Sequence, residues 1–511
     1  MSKFNKDIIF SIFKELQDDG NSLRSSLLLN RTWCEIGVRM LWSNPWKYVK
    51  NVKNEKKIES LLNVIISHLS NEMRNDFDLL TTYKNPFFDY IGFCKHLDLN
   101  VLERMINNIK CVKLINDVKI EIIKLFINDN TRITHLYIPH QFNYQIHLIP
   151  GVEDCLSKLR FLRCSTLTNA NGLVELKKIC KSIKELEVHI EKDHTNDYGI
   201  VSLINDQTNL SRVQFKYANM EEIPKSLCKN LENSLIKHAN NIQYFKINTK
   251  PLTKVLSSLK SLKSLEIDGI FSSHISDTWN HLNNISLPSL QNLKAKNIPS
   301  NILISLIENS KELNEIKVES LESTFIEISE TYDIKLIQAI YQNCPNIKYL
   351  KIPLSNKCNL ELENLLIKCQ NLEGLYLILR EEKCEELLET LAKSSPNSLF
   401  KFKFQLHKHN LYNNNLGFQR RIFNNIIERI TLDSFKSFFY YWKGRNPICP
   451  MLLQTIGMNF NKEYSYLIDT NIFLEVIKKY EDGRNFDDFE WIKPKFLQKH
   501  KTYQMYVFRF M

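Results

Sequence analysis

Between residues 131 and 406, the hydrophobic positions follow one short phrase, with apolar residues at its first, fourth and sixth positions. The phrase occurs eleven times, and successive copies begin 20 to 34 residues apart. The copies begin at Ile133, Leu159, Ile183, Leu210, Ile242, Leu262, Leu290, Leu313, Ile347, Leu372 and Leu399. Eleven copies in near register are hard to obtain by chance, so this stretch is a tandem repeat.

Each copy of the phrase predicts a short β-strand, because its last two apolar positions are two residues apart and share one strand face. Between the copies, apolar residues three and four apart predict helices, for example at 174–179, 303–307, 334–340, 362–367 and 385–391. A single strand–helix unit leaves its apolar side uncovered, so such units stack around a shared core. The predicted fold class is therefore α/β: a leucine-rich repeat solenoid, a horseshoe of strand–helix repeats whose strands line the concave face.

Three further regions surround the repeats at 131–406. Residues 1–46 predict three short helices, with Ser22 capping the second. Residues 47–130 predict a helical linker and N-terminal solenoid cap, with a helix at 87–91 and, at 120–127, the helical half of a repeat that has lost its strand. Residues 407–511 predict degenerate repeats and a C-terminal cap. The two longest intervals between copies predict inserted loops near 219–233 and 319–332.

The N-terminal segment resembles an F-box. Residues 4–16 read FNKDIIFSIFKEL and residues 27–33 read LLLNRTW, with Phe4 and Asn5 where the motif normally has Leu-Pro. Together with the repeats, this segment makes most of the chain similar to fungal F-box/leucine-rich repeat proteins. The resemblance implies docking on an Skp-family adaptor, and through it on a cullin. The residues implied to contact the adaptor are Phe4, Ile8, Ile9, Ile12, Phe13, Leu16, Leu27, Leu28 and Trp33.

The side chains that flank the middle core position of each strand are expected to point outward. They mix lysine, arginine and tyrosine, which suits a partner segment with acidic or phosphorylated groups. The alternative is that they are only the solvated faces of exposed strands. The residues predicted to bind the substrate are Arg163, Lys216, Tyr244, Lys246, Lys294, Lys317, Tyr349, Lys351, Tyr376 and Lys403.

Motifs for catalysis and metal binding are absent from the sequence. There is no phosphate-binding loop, no H-E-x-x-H and no G-x-S-x-G. His135 and His140 are five residues apart, as are His189 and His194, so neither pair predicts ligands on one helical face. Cys94 and His96 have no evident orienting partner, and His96 is predicted at a helix end. We therefore predict a protein that is not an enzyme and has neither a cofactor nor a metal.

The twelve cysteines form no C-x-x-C pair, and Cys180, Cys344 and Cys369 each stand three residues before a strand phrase. We interpret them as reduced thiols at tight helix-to-strand turns. The formal charge is +11, but acidic residues alternate with the basic ones at the outward positions, which makes nucleic-acid binding unlikely. Neither a signal peptide nor a span of ~20 apolar residues is visible, so we expect a soluble protein of the cytoplasm, the nucleus or both.

These observations lead to one hypothesis and two alternatives. The chain is predicted to be the substrate-recognition subunit of an Skp–cullin–F-box ubiquitin ligase, with the solenoid holding an unknown protein substrate. The first alternative is a leucine-rich repeat scaffold for protein interactions without ligase coupling. The second is a basic solenoid that binds RNA, which the alternating acidic residues disfavour.

Overall fold

The computed structural model describes residues 5–16, 19–49, 55–76, 86–108, 115–140, 144–192, 197–218, 223–269, 279–319, 330–379, 385–406, 451–456, 489–491 and 504–510. The chain divides into two compact units, Met1–Ile242 and Gln243–Met511. In both units, parallel strands alternate with helices. This α/β arrangement is compatible with a solenoid.

In the described part of the first unit, five strands pair in parallel in the order of the sequence. The strands are β1 (His96–Asp98), β2 (His135–Tyr137), β3 (Phe161–Ser165), β4 (Glu185–Ile190) and β5 (Arg212–Tyr217). Its helices are α1 (Lys6–Glu15), α2 (Gly20–Leu27), α3 (Arg31–Ser43), α4 (Glu55–Ile66), α5 (Asn71–Asp76), α6 (Leu99–Asn107), α7 (Ile115–Phe126), α8 (Val152–Leu156), α9 (Ala170–Ile179), α10 (Asp197–Asn205) and α11 (Lys225–Ser234).

The second unit continues the same alternation and then changes direction. Strands β6 to β13 pair in parallel, whereas β13 and β14 each pair antiparallel with β15. The strands are β6 (Tyr244–Ile247), β7 (Ser264–Asp268), β8 (Asn292–Lys296), β9 (Glu315–Glu319), β10 (Tyr349–Leu354), β11 (Gly374–Leu379), β12 (Lys401–Leu406), β13 (Met451–Ile456), β14 (Phe489–Trp491) and β15 (Gln504–Phe510). The helices are α12 (Val255–Ser258), α13 (Ser300–Glu308), α14 (Glu330–Asn343), α15 (Asn359–Lys368) and α16 (Glu385–Ser394).

All eleven copies of the phrase form strands, β2 to β12, and the apolar positions of the phrase fill the core. Leu265 and Leu350, for example, are 0% and 2% exposed. The five helices predicted between copies are confirmed as parts of α9, α13, α14, α15 and α16. Strand pairing and helix position therefore follow the repeat as the apolar pattern requires.

The phased cysteines lie buried at the turns between helix and strand, as predicted. The thiol of Cys344 donates to the carbonyl oxygens of Ser310 at 3.6 Å and Ile307 at 3.9 Å, one repeat earlier. Burial raises the pKa of Cys180, Cys344 and Cys369 to about 12, which keeps them as thiols. The nine cysteines within the described part of the chain are all free of disulfides.

Three short helices open the chain and pack around a small core of their own. Ile9, Phe13 and Leu23 are buried there, and the half-buried Leu16 and Trp33 pack against them. Helix α3 approaches this core closely because it carries Gly37, where a Cβ atom would lie 2.4 Å from a methyl carbon of Leu27 and 2.7 Å from the ring of Phe13.

Four expectations about the positions of strands, helices and loops are corrected by the structure, and one about a helix cap is corrected below. The repeat at 120–127 has not lost its strand, because His96–Asp98 forms β1 and pairs with β2. His96 therefore belongs to a strand and not to a helix end. Residues 87–91 form no helix apart from the start of a 3-10 turn at Ile91–Phe93. The loop predicted near 219–233 is largely helix α11, which begins at Lys225.

Helix α2 is capped by Asp19 and not by Ser22, because the Asp19 carboxylate accepts from the amides of Asn21 at 3.1 Å and Ser22 at 3.3 Å. Residues 407–450, the first part of the predicted degenerate repeats and C-terminal cap, lie outside the described residues. None of the helices that the structure describes is long and apolar enough to cross a membrane.

Gly151→Ala and Gly172→Ala form a matched pair of tests for the turn that precedes α8. Gly151 has φ +80° and a Cβ there would meet the backbone nitrogen of Asp129 at 2.4 Å, whereas a Cβ at Gly172 meets nothing within 4 Å. We expect Gly151→Ala to lower the free energy of unfolding by ~1–2 kcal/mol, and Gly172→Ala, within α9, to raise it by up to ~1 kcal/mol. Urea unfolding followed by circular dichroism measures both. Equal midpoints for the two variants would contradict the assignment of strain to Gly151.

Candidate functional site

The strands expose one face, because residues that point into the core alternate with residues that point away from it. In β9, Ile316 and Val318 are buried, whereas Lys317 between them is half-exposed. The paired strands are in register, so outward side chains at equivalent positions form columns, with ~4.8 Å between neighbouring strands. The chemistry of this surface is therefore set by which residues share a column.

In the first unit, the exposed face of β1 to β3 carries a group of stacked rings. The imidazoles of His96 and His135 are stacked with their centroids 3.8 Å apart, and the ring of Phe161 lies 5.6 Å from that of His135 and 4.9 Å from that of Tyr137. Burial, followed by the proximity of His135, lowers the pKa of His96 to about 4. His96 is therefore neutral at neutral pH, which is compatible with its stacking on a second imidazole.

Glu187 of β4 is the shared partner of three basic side chains on the strands of the first unit. Its carboxylate accepts from Lys216 Nζ at 2.5 Å, His189 Nε2 at 2.8 Å and Arg163 at 3.0 Å. Burial of Glu187, which is 6% exposed, opposes ionisation, but these three hydrogen bonds outweigh that effect and hold the pKa of its carboxyl far below the usual range. The guanidinium of Arg163 also lies 4.9 Å from the ring centroid of Tyr137.

In the second unit, four lysines and one tyrosine occupy one column over five consecutive strands, which we call the lysine column. Its members pair in register from β8 to β12: Lys294, Lys317, Lys351, Tyr376 and Lys403. The ammonium groups of Lys351 and Lys403 lie 4.5 Å and 4.8 Å from the ring centroid of Tyr376, so a tyrosine separates two cations. Burial, together with the charges of Lys351 and Lys401, lowers the pKa of Lys403.

Acidic side chains in adjacent columns offset part of this charge. Lys317 pairs with Glu315 at 2.5 Å, and Lys351 pairs with Glu319. Glu266 pairs with Lys246 at 3.0 Å and lies 3.9 Å from Lys294. Burial of Glu266 and Glu319 disfavours ionisation, but the hydrogen bonds from lysine outweigh it and lower the pKa of both carboxyls.

All ten residues predicted to bind the substrate lie on strands and are at least partly exposed. Eight of them belong to the second unit, and five of those eight form the lysine column. Arg163 and Lys216 instead share Glu187 in the first unit. The sequence did not show that Arg163 and Lys216 share Glu187, because these contacts join residues of different repeats.

The residues implied to contact an adaptor divide into buried and exposed groups. Ile9 and Phe13 are 2% and 0% exposed, so their role in this fold is to hold the three helices together. Ile8 and Leu28 are 48% and 87% exposed. Ile12, Leu16, Leu27 and Trp33 are half-buried, and Phe4 lies outside the described residues.

Two further apolar side chains of these helices, Phe10 and Leu29, are 53% and 62% exposed and were missed from the sequence. The motif that carries the resemblance does not single them out, and helical spacing does not tell which apolar side chain stays uncovered.

His140, His189 and Glu191 also come together in the first unit, although the sequence predicted no metal site. One donor atom from each lies within 4.8 Å of the other two. His140 follows β2 and His189 belongs to β4, so the contact joins strands that are not neighbours in the sheet. The spacing of histidines along the sequence does not predict this contact.

Comparison with known proteins adds no assignment. No protein-family model matches the chain, and no curated protein matches it.

Removing the charge of Glu187 is expected to destabilise the protein, because Arg163, His189 and Lys216 would lose their shared counter-ion. We expect Glu187→Gln to cost ~2–4 kcal/mol at pH 7. The folded-state pKa of Glu187 is depressed, so this stability is present above its ordinary pKa of 4.5 and is lost as the pH falls below it. Urea unfolding at pH 7 and under acidic conditions should therefore show the difference between wild type and variant shrinking in acid.

The control is Glu185→Gln, which removes one charge from an exposed pair with Arg212 at 3.3 Å on the same strands. It should change the free energy of unfolding by less than ~0.5 kcal/mol. Similar losses for both variants would argue against a special position of Glu187.

Proposed function

We propose that the chain is the substrate-recognition subunit of an Skp–cullin–F-box ubiquitin ligase, and that its strand–helix repeats are leucine-rich repeats. The N-terminal helices dock on the adaptor, and the strand face of the repeats binds a protein substrate. Catalysis is left to other subunits, and this chain contributes proximity by holding the substrate within reach of the ubiquitin-loaded enzyme.

The observation that carries the proposal is the exposure of large apolar side chains on an F-box-like segment directly ahead of the repeats. Leu28 is 87% exposed immediately after α2, and Ile8 is 48% exposed on α1, although Ile9 and Phe13 complete a core beside them. Large apolar side chains that remain exposed beside a filled core often mark a protein-interaction site. The F-box resemblance implies that the helices carrying these side chains dock on the adaptor.

The first experiment is a pull-down of the full chain with a purified Skp-family adaptor. Ile8→Asp/Leu28→Asp should weaken the complex at least tenfold, because charged groups would replace apolar anchors at the contact. Both side chains are exposed, so the variant should stay folded. Unchanged circular dichroism checks this.

The matched control is Leu360→Asp/Ile367→Asp, which alters two apolar side chains of α15 that are 68% and 54% exposed. The control should bind the adaptor like wild type. Wild-type protein that is folded but binds no adaptor would sink the ligase proposal and favour a repeat scaffold without ligase coupling.

The substrate segment is proposed to be acidic or phosphorylated, because the lysine column places like charges on neighbouring strands. Burial, followed by the charges of Lys351 and Lys401, lowers the pKa of Lys403, so charging this ammonium group costs free energy. A bound anion would relieve that cost, and lysine supplies three donors to it. Glu315 and Glu319 already pair with two members, so a ligand must compete with them.

A labelled polyglutamate peptide and a phosphoserine-containing peptide serve as probes for this site in fluorescence anisotropy. The triple variant Lys294→Gln/Lys317→Gln/Lys403→Gln should bind at least one of the probes tenfold more weakly than wild type, and wild-type binding should fall as salt increases. The control is Lys260→Gln/Lys311→Gln/Lys335→Gln, which removes the same charge from exposed lysines outside the strands. Equal losses in both triple variants would mean that only net charge matters.

A further inference from the structure

His140, His189 and Glu191 bring together three side chains of the types that bind transition metals. The two imidazole rings are 5.0 Å apart between centroids and stand at 82° to each other. Glu191 Oε1 lies 2.8 Å from His140 Nδ1. Oxygen and nitrogen donors around Zn²⁺ sit 2.0–2.2 Å from the ion. The three donor atoms, within 4.8 Å of one another, need only small side-chain movements to reach that geometry.

The backbone holds the two halves of this group in place. The amide of Glu191 donates to Thr166 Oγ1 at 2.9 Å, and the amide of Thr166 donates to the carbonyl of His189 at 2.9 Å. The amide of Ile138, two residues before His140, donates to the carbonyl of Arg163 at 2.9 Å. Strand β3 therefore fixes the segments that carry the donors on either side of it.

His189 already has the second partner that metal-bound histidines need. Its Nε2 lies 2.8 Å from Glu187 Oε1, so Nδ1 is the nitrogen that the proposal below assigns to the metal. A carboxylate on the far nitrogen fixes the ring orientation and raises the basicity of the ligating nitrogen.

Space for a further ligand adjoins both rings. A cavity of about 80 Å³ is lined by His140, His189, Asp98, Arg163 and Ser165, among others. Three protein ligands with room for a fourth resemble the open sites that keep a water or a small anion on the metal. Arg163 at the cavity edge would favour an anionic fourth ligand.

We propose that His140, His189 and Glu191 form a site for one Zn²⁺ ion on the strand face of the first unit. Two imidazoles and one carboxylate are a donor set that suits zinc, and a site with the same donors also accepts Co²⁺. The proposal does not depend on the ubiquitin-ligase function, and neither the adaptor nor a substrate is needed to test it.

The test uses the full chain without a polyhistidine tag, freed of metal by a chelator that is then removed. Zinc binding is measured by calorimetry, and Co²⁺ binding by the visible absorption of a four-coordinate cobalt ion. We expect one ion per chain and at least tenfold weaker binding by both His140→Ala/His189→Ala and Glu191→Gln. His140 is about half exposed, so a single His140→Ala variant keeps the test valid if the double variant unfolds.

The control is His147→Ala/His281→Ala, which removes two half-exposed histidines elsewhere and should bind zinc like wild type. Free cysteines are a second source of zinc binding, and they are unchanged in all variants. The proposal is overturned if wild type binds no zinc in a saturable way, or if the His140, His189 and Glu191 variants bind it as wild type does.

Discussion

Within each unit, the structure depends on one repeated contact, the parallel pairing of a repeat's strand with the strand of the preceding repeat. Backbone amides in the turn before a strand also donate to the preceding repeat, which extends the ladder of hydrogen bonds between the strands. In the second unit, the amide of Asn314 donates to the carbonyl of Gln291, and that of Lys348 donates to the carbonyl of Asn314, each at 2.8 Å. A slip of one residue would turn every core side chain of that strand outward, so the apolar phrase and the ladder enforce the same register.

Fixed register makes the surface a set of columns, so charges of different repeats are forced to be neighbours. The strand face is only half-exposed, and charges there are less screened than on an open surface. Glu187, Glu266 and Glu319 each accept a hydrogen bond from a lysine of an adjacent strand. Their pKa values are lowered although burial opposes ionisation. The chemistry of this face is therefore a property of whole columns, and in the lysine column lysines recur on neighbouring strands.

The sequence predicted the parts of the fold that rest on local periodicity, and it missed those that rest on contacts between repeats. Strands β2 to β12 are predicted by the repeated apolar positions of the eleven copies of the phrase. Strand β1 has the same spacing at Cys94, Leu97 and Leu99, but it stands 39 residues before the next copy, and its phrase begins with a cysteine. Helical spacing predicts that Ile8 and Ile9 lie on the same apolar face of α1. Packing against α3 decides that Ile9 is buried and Ile8 is exposed. His140 and His189 meet across an intervening strand, which no spacing rule within one segment describes.

The connection between the N-terminal helices and the first strand is direct. The indole of Trp46 donates to the carbonyl of His96 at 2.5 Å, and the amide of Lys95 donates to the carbonyl of Ser43 at 2.9 Å. The guanidinium of Arg39 lies 5.2 Å from the ring centroid of Phe93. Helix α3 and the residues after it therefore contact the residues at the start of β1 directly. If the helices dock on an adaptor as proposed, these contacts would relate the orientation of the first repeats to that docking. A substrate bound to these strands would then be presented at a fixed angle, which favours a receptor over a tether.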